Sequence, residues 1–172
     1  MKLLISLLAL AAASAGPVRA QAPASADPAS AAGTEVAAVL DAFHQAASRA
    51  DGAAYFALLT PTARFIGTDA SERWPLEAFH AFADPYFSQG KGWTYHPRDR
   101  VISILPIECR CVASFDELLD NAGYGETRGS GVLIRDGAGW RIDQYVLSFT
   151  VPNDVAKDVV AVIAAGKGVE TP

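Results

Sequence analysis

The chain has 172 residues, the length of a single domain, and carries 14 Lys and Arg against 19 Asp and Glu, a formal net charge of −5. With no basic cluster, that balance excludes nucleic-acid binding by phosphate neutralisation and disfavours docking on an anionic membrane. Small molecules and other proteins remain as partners.

The first residues read as a targeting segment. Lys2 supplies a positive start, Leu3 to Ala13 form a short apolar run, and Val18-Arg19-Ala20 is a small-x-small cleavage signal. Residues 1–20 are thus expected to be a secretory signal peptide, cut after Ala20, with the remainder periplasmic or secreted. The apolar run is too short to span a bilayer, and no later stretch approaches the ~20 residues a spanning helix needs. No membrane association is therefore expected after cleavage. Losing Lys2 and Arg19 leaves the rest still more acidic. Residues 21–33, QAPASADPASAAG, read as a flexible linker.

The domain is expected over residues 34–165. Thr34 suits an N-cap, and Val36, Val39, Leu40, Phe43 and Ala47 recur at helical spacing up to a stop at Asp51-Gly52. His44 lies beside that stripe and reads as a boundary residue rather than a catalyst. A short second helix is expected around Tyr55, Phe56 and Leu59, ending at Thr60-Pro61. Residues 63–67 form a short strand. The loop from Gly67 to Pro75 then gathers Asp69, Glu72, Arg73 and Trp74 where a rigid scaffold can position them. A third helix, about Pro75 to Ser88, carries Leu76, Phe79, Phe82 and Tyr86 as an aromatic stripe, with Pro85 expected to bend or end it.

From Trp93 onward the pattern changes to strands. Pro97 within the first of them implies an edge or a bulge. In the next, Ile107 to Leu118, one face holds Ile107, Cys109, Cys111, Ala113, Phe115 and Glu117 and is expected to face the core. Glu117 then ends an apolar row at the mouth of the core, unless a bulge exchanges it with Asp116. Cysteines two apart on one strand face point the same way about 6.5–7 Å apart, too far for a bridge, and read as small apolar core residues. That stretch offers too few further ligands for a metal site.

Gly129-Ser130-Gly131 within the following strand signals strong bending. The last strand, Trp140 to Val151, places Trp140, Ile142, Gln144, Val146 and Ser148 on one face. Gln144 would be a polar group on a mostly apolar face, in need of a partner or ligand. After Pro152 a last helix carries Val155, Val159 and Val162, and residues 166–172 are a tail.

Helices followed by a bent antiparallel meander form a cone around a pocket. On the stretches FIGTDASERWP at 65–75, FDELL at 115–119, RGSGVL at 128–133 and WRIDQYVLSFTVPND at 140–154, the chain resembles the SnoaL-like branch of the nuclear transport factor 2-like (NTF2-like) superfamily. The resemblance implies an α+β cone, with N-terminal helices on a strongly curved antiparallel sheet. It also implies an apolar pocket with a few polar residues, a homodimer through the outer sheet face, and no metal or redox cofactor. Many relatives carry histidine on the last strand, where this chain has Gln144 and Val146.

Three functions stay open: a protein binding a small apolar or amphipathic molecule, a cofactor-free acid/base enzyme of isomerase, dehydratase or cyclase type, and a dimeric interaction or scaffold protein. The candidate proton carriers are Asp69, Glu72 and Glu117. The candidate ligand contacts are Tyr55, Trp74, Tyr95 and Gln144. The enzyme reading needs a carboxylate inside the pocket within reach of another polar group. A pocket filled by Phe79, Phe82 and Trp93 would remove both ligand readings.

Overall fold

The computed structural model describes residues 28–167. The expected signal peptide, most of the linker and nearly all of the tail lie outside them. Helix α1 (Pro28–Ser48) is followed by α2 (Gly52–Ala57), β1 (Leu59–Ile66), β2 (Arg73–Pro75) and α3 (Leu76–Phe87). The antiparallel meander β3 (His96–Ile104), β4 (Val112–Asn121), β5 (Gly125–Asp136) and β6 (Gly139–Phe149) comes next, and α4 (Ala156–Lys167) last. The six strands form one mixed sheet in the order β2-β1-β6-β5-β4-β3, with β1 and β6 parallel and the other neighbours antiparallel. The helices α1 to α3 cover its concave face, and their buried side chains meet those of the sheet in one core.

The helix stripe read from sequence is the buried one: Val36, Leu40, Phe43 and Ala47 all face the sheet. Its start differs. Thr34 is not a cap but lies inside α1, its hydroxyl donating back to the Ser30 carbonyl at 3.1 Å, so the end of the expected linker is helical. The alanines of that linker are strong helix formers, and Ala32 is buried against the core. The helix stops where Ala50 takes a positive φ of 54°. Asp51 then caps α2, accepting from the Ala54 amide at 3.0 Å. Leu59 belongs to β1 rather than to the second helix. Pro85 does not end α3, which runs on because Phe79, Ala83 and Phe87 all bury on its inner face.

Two single-residue insertions decide which side chains enter the cone. Between Arg98 and Val101 the β3 strand advances three residues while β4 advances two, and Asp99 takes a positive φ of 50°. This bulge sits next to Pro97 on an edge strand, as that proline implied. It turns Arg98 outward, to Asp120 and Glu126, while Arg100 stays on the inner face. The second insertion is in β6: Leu133 pairs with Ile142 and Val132 with Gln144, so Asp143 is the extra residue. The hydroxyls of Thr60 and Thr62 donate to its carboxylate at 2.6 and 3.0 Å and hold it in place.

The β6 bulge overturns the sequence reading of the last strand. Trp140 and Ile142 face inward as expected, but beyond Asp143 the inward residues are Tyr145 and Leu147. Gln144 is on the outer face, accepting from Arg64 across the strand pair at 3.3 Å, and takes no part in the pocket. The cysteine reading is also corrected. Residues 107–111 form a turn rather than a strand, the left-handed Arg110 (φ 44°) folds the chain back, and Cys109 and Cys111 are bridged with Cα atoms 5.1 Å apart. The extended geometry that forbade a bridge is simply not present.

Candidate functional site

The alternation of β4 carries through as read. Ala113, Phe115, Glu117 and Leu119 point inward, while Asp116 faces out and accepts from Arg128 at 2.7 Å. Glu117 does not sit at the mouth of the core, however; its residue is 0% exposed, with Leu119 equally buried beyond it. A carboxylate so placed needs partners, and it has two. His44 Nε2 lies 2.6 Å from one oxygen, and Arg100 Nε donates to the other at 2.6 Å. Arg100 in turn donates through Nη1 to Asp41 at 2.7 Å and to the Ala37 carbonyl at 3.2 Å. The bulge of β3 that carries Arg100, the helical spacing of Ala37, Asp41 and His44 on α1, and the period of β4 thus converge on one ion-pair network. Burial works against the Arg100 charge, but Glu117 and Asp41 outweigh it and raise the guanidinium pKa.

The network fixes one tautomer. With a carboxylate on Nε2, that nitrogen carries the proton, which leaves Nδ1 as the acceptor whenever the ring is neutral. His44 lines a small inner chamber of about 20 Å³, together with Tyr55, Tyr145 and Trp93. That is space for about one water molecule. The chamber shares Phe65, Trp93, Tyr95 and Leu147 with an outer pocket of about 300 Å³, so the two spaces adjoin.

Aromatic rings wall the outer pocket: Phe65, Trp74, Phe79, Phe82, Trp93, Tyr95 and Tyr124, with Glu72, Thr68 and Asn121 at its rim. Several rings lie nearly parallel. Phe65 and Phe79 are 4.1 Å apart at 11°, Trp74 and Phe82 4.6 Å at 23°, and Phe65 and Tyr145 5.7 Å at 9°. Phe79, Phe82 and Trp93 line this space without filling it. Phe82 remains 43% exposed at the entrance.

Glycines give the inner wall its room. A Cβ at Gly129 would run into the Tyr145 hydroxyl, and one at Gly131 into the Gln144 carbonyl oxygen. Tyr145 thereby lies against the β5 backbone, with Glu117 near enough to influence it. Burial first, and the Glu117 carboxylate second, push its phenol well above the ordinary range. Tyr55 is pushed up chiefly by burial, with Tyr145 adding to the rise and Trp93 working against it, while Tyr95 reaches about 12, chiefly through burial.

A pH dependence follows. A tyrosine whose folded pKa is raised stabilises the fold fully below its unfolded value near 10 and loses that contribution as pH rises beyond it. Alkaline titration followed at the tyrosinate absorbance band is expected to show Tyr55 and Tyr145 ionising only with cooperative unfolding, above pH 10. Smooth ionisation of all five tyrosines without loss of the near-ultraviolet dichroism would contradict their burial.

The sequence candidates are therefore divided. Trp74 and Tyr95 line the outer pocket and Tyr55 the inner chamber, while Glu117 lines neither and is connected to the chamber only through His44. Glu72 is at the rim, but its carboxylate accepts from the Asp69 amide and closes over Gly67, so it holds the loop. Asp69 is exposed and accepts from the Ser71 amide and hydroxyl at 2.8 and 2.5 Å, a turn-stabilising role outside the pocket. His44, Arg100 and Tyr145 were not among the candidates. For His44 a signal existed, since it stands four residues after Leu40 on the buried stripe. No metal-binding group of three or more His, Cys, Asp or Glu occurs among the described residues.

A SnoaL-like domain model matches residues 36–152. The chain belongs to the SnoaL-like family. Solved structures agree on the NTF2-like fold at low identity. An NTF2-like protein of unknown function from Pseudomonas putida KT2440 is 13% identical, with a TM-score of 0.60 over 73% of this chain and 92% of that one. A provisionally named dehydratase of the NTF2-like family from Streptomyces avermitilis is 13% identical, with a TM-score of 0.60 over 72% and 99%. An NTF2-like protein with a cystatin-like fold from Novosphingobium aromaticivorans is 13% identical, with a TM-score of 0.53 over 74% and 87%. No functionally curated protein matches the sequence. This SnoaL-like chain thus has the α+β cone of its family, with the sheet mixed rather than purely antiparallel because β1 joins β6 in parallel.

Proposed function

We propose that this SnoaL-like protein is exported and binds a planar, mostly apolar small molecule in its aromatic cleft. The observation that carries the reading is the set of near-parallel rings of Phe65, Trp74, Phe79 and Phe82 lining a space of about 300 Å³. Parallel faces reward a flat ligand by stacking, and that size lies at the lower end of small-molecule sites. Export rests on Lys2, the Leu3–Ala13 run and Val18-Arg19-Ala20. None of the described helices is long and apolar enough to cross a membrane. Pairing through the outer sheet face, where Val101 is 57% exposed, is the matching proposal for assembly, and light scattering of the purified protein tests it.

Two of the three tryptophans, Trp74 and Trp93, line the cleft, while Trp140 is buried outside it. Titration with 8-anilinonaphthalene-1-sulfonate is expected to quench their fluorescence saturably. Trp74→Ala should weaken binding about tenfold, the scale of one lost stacking partner with its buried area. Trp140→Phe should leave the affinity unchanged. Equal affinity in wild type and Trp74→Ala would place the probe elsewhere. Native mass spectrometry of protein isolated from the cell envelope would then identify a natural ligand directly.

A second reading, as a cofactor-free acid/base enzyme, is favoured by one observation. His44, a lining residue of the inner chamber, is paired through Nε2 with the buried Glu117 carboxylate, a carboxylate–histidine pair of the kind a general base uses. Here His44 would act on the ligand and Glu117 would position it. His44→Gln should then leave probe binding intact and abolish turnover of a substrate found by ligand identification. Turnover surviving in His44→Gln would leave the binding role alone.

A further inference from the structure

The Cys109–Cys111 bridge stands apart from the cleft, in the turn joining β3 to β4. Its partners are only two residues apart, so it joins no two elements of the fold. The chain entropy that a cross-link removes grows with the loop it closes, and this loop is nearly the shortest available. The turn is also held without it. The Arg110 amide donates to the Ile107 carbonyl at 3.0 Å, Leu105 to Val112 at 2.9 Å, and Arg135 to the Cys111 carbonyl at 2.8 Å. The bridge is therefore redundant as a staple.

Its surroundings fit chemistry instead. Cys109 is exposed and Cys111 half-buried, so one sulfur is open to attack and the other is placed to leave. Arg110 stands between them in the chain and supplies the nearest positive charge in sequence, with Glu108 the opposing neighbour in the turn; Arg135 contributes only its backbone amide to Cys111, its guanidinium being paired with Glu35 at 3.4 Å. Arg110 also holds a φ of 44°, a conformation that residues with a side chain adopt at a cost.

We propose that Cys109–Cys111 is a thiol–disulfide exchange site that accepts two electrons from an external dithiol. A substrate thiolate attacks Cys109 Sγ, forming a mixed disulfide and expelling Cys111 as the thiolate. The second substrate thiol, as its thiolate, attacks the substrate sulfur of that mixed disulfide and expels Cys109. Substrate dithiol becomes disulfide, and the two cysteines end as thiols after taking up the two protons released. The same exchange run backwards from a more oxidising disulfide restores the bridge.

The test uses the purified oxidised protein under argon, with reduced unfolded ribonuclease A as a protein dithiol and glutathione as a small thiol. Alkylation and mass spectrometry then count thiols on both sides. Expected are stoichiometric loss of thiols from the ribonuclease, their appearance at Cys109 and Cys111, and no exchange by Cys109→Ser/Cys111→Ser, whose thermal midpoint stays close to wild type. Arg110→Glu should slow the reaction with glutathione about threefold or more by reversing the charge next in sequence to the leaving thiolate. Reaction with glutathione but not ribonuclease assigns the site to small thiols. A bridge inert to both in the folded protein, while reducible after unfolding, overturns the proposal, as does a large fall in midpoint for the doubly substituted chain.

Discussion

Gly131→Val is expected to destabilise the fold strongly. The β5 strand bends there beneath β6, and even a bare Cβ would overlap the Gln144 carbonyl oxygen and press on the Phe115 ring. A carbonyl in a sheet cannot swing aside as the end of a flexible side chain can. Overpacking of an ordinary core costs about 1–3 kcal/mol, and a clash with backbone belongs at or beyond the upper end. A loss of about 3 kcal/mol corresponds to a fall of roughly 10 °C in thermal midpoint for a domain of this size. Alanine should already cause most of the damage. Gly137→Ala, in the next turn, has open space around its Cβ and should be tolerated, which separates crowding from any general effect of losing glycine. A Gly131→Val protein melting with the wild type would mean that β5 and β6 are not held this close.

The second large effect is expected from Glu117→Ala. It leaves His44 without its carboxylate and Arg100 with Asp41 as its one charged partner beside the Ala37 carbonyl, while opening a hole in a fully buried site. Removing one partner from a buried ion pair costs about 3–5 kcal/mol. Because Arg100 keeps an exposed partner, the lower part of that range is expected. Glu117→Gln fills the same volume and should cost less. Combining Glu117→Ala with Arg100→Met should recover part of the loss, since the stranded charge is then gone. Strictly additive losses in denaturant unfolding would show that the two groups do not interact.

Much of this was legible in the sequence. The alternation of β4 gave Glu117 its inward direction because that strand keeps register with β5 along its whole length. The Gly129 and Gly131 pair announced a curved wall. The failures have a common cause, which is that side-chain period holds only within an unbroken element. A single extra residue at Asp143 sent Gln144 out and Tyr145 in, and no composition signal marks such an insertion. The cysteines were judged on strand geometry in a segment that turns at Arg110. His44 was placed by its chemistry at a boundary, although its spacing put it on the buried stripe. Its partner Glu117 lies 73 residues later, and Arg100, which holds the other carboxylate oxygen, comes from an edge strand, a juxtaposition that only the folded sheet creates.

Asp143 has one consequence for how such a cup could change. Deleting it would leave Ile142 in, Gln144 out and Tyr145 in, because the insertion is the departure from strict alternation and the flanking residues already obey it. Length and parity are thus separable in β6. A shortened chain could flatten its wall, and so reshape the cleft, while every downstream side chain kept its side of the sheet. The threonines that clasp Asp143 would lose their acceptor, and depth rather than orientation would be what changed.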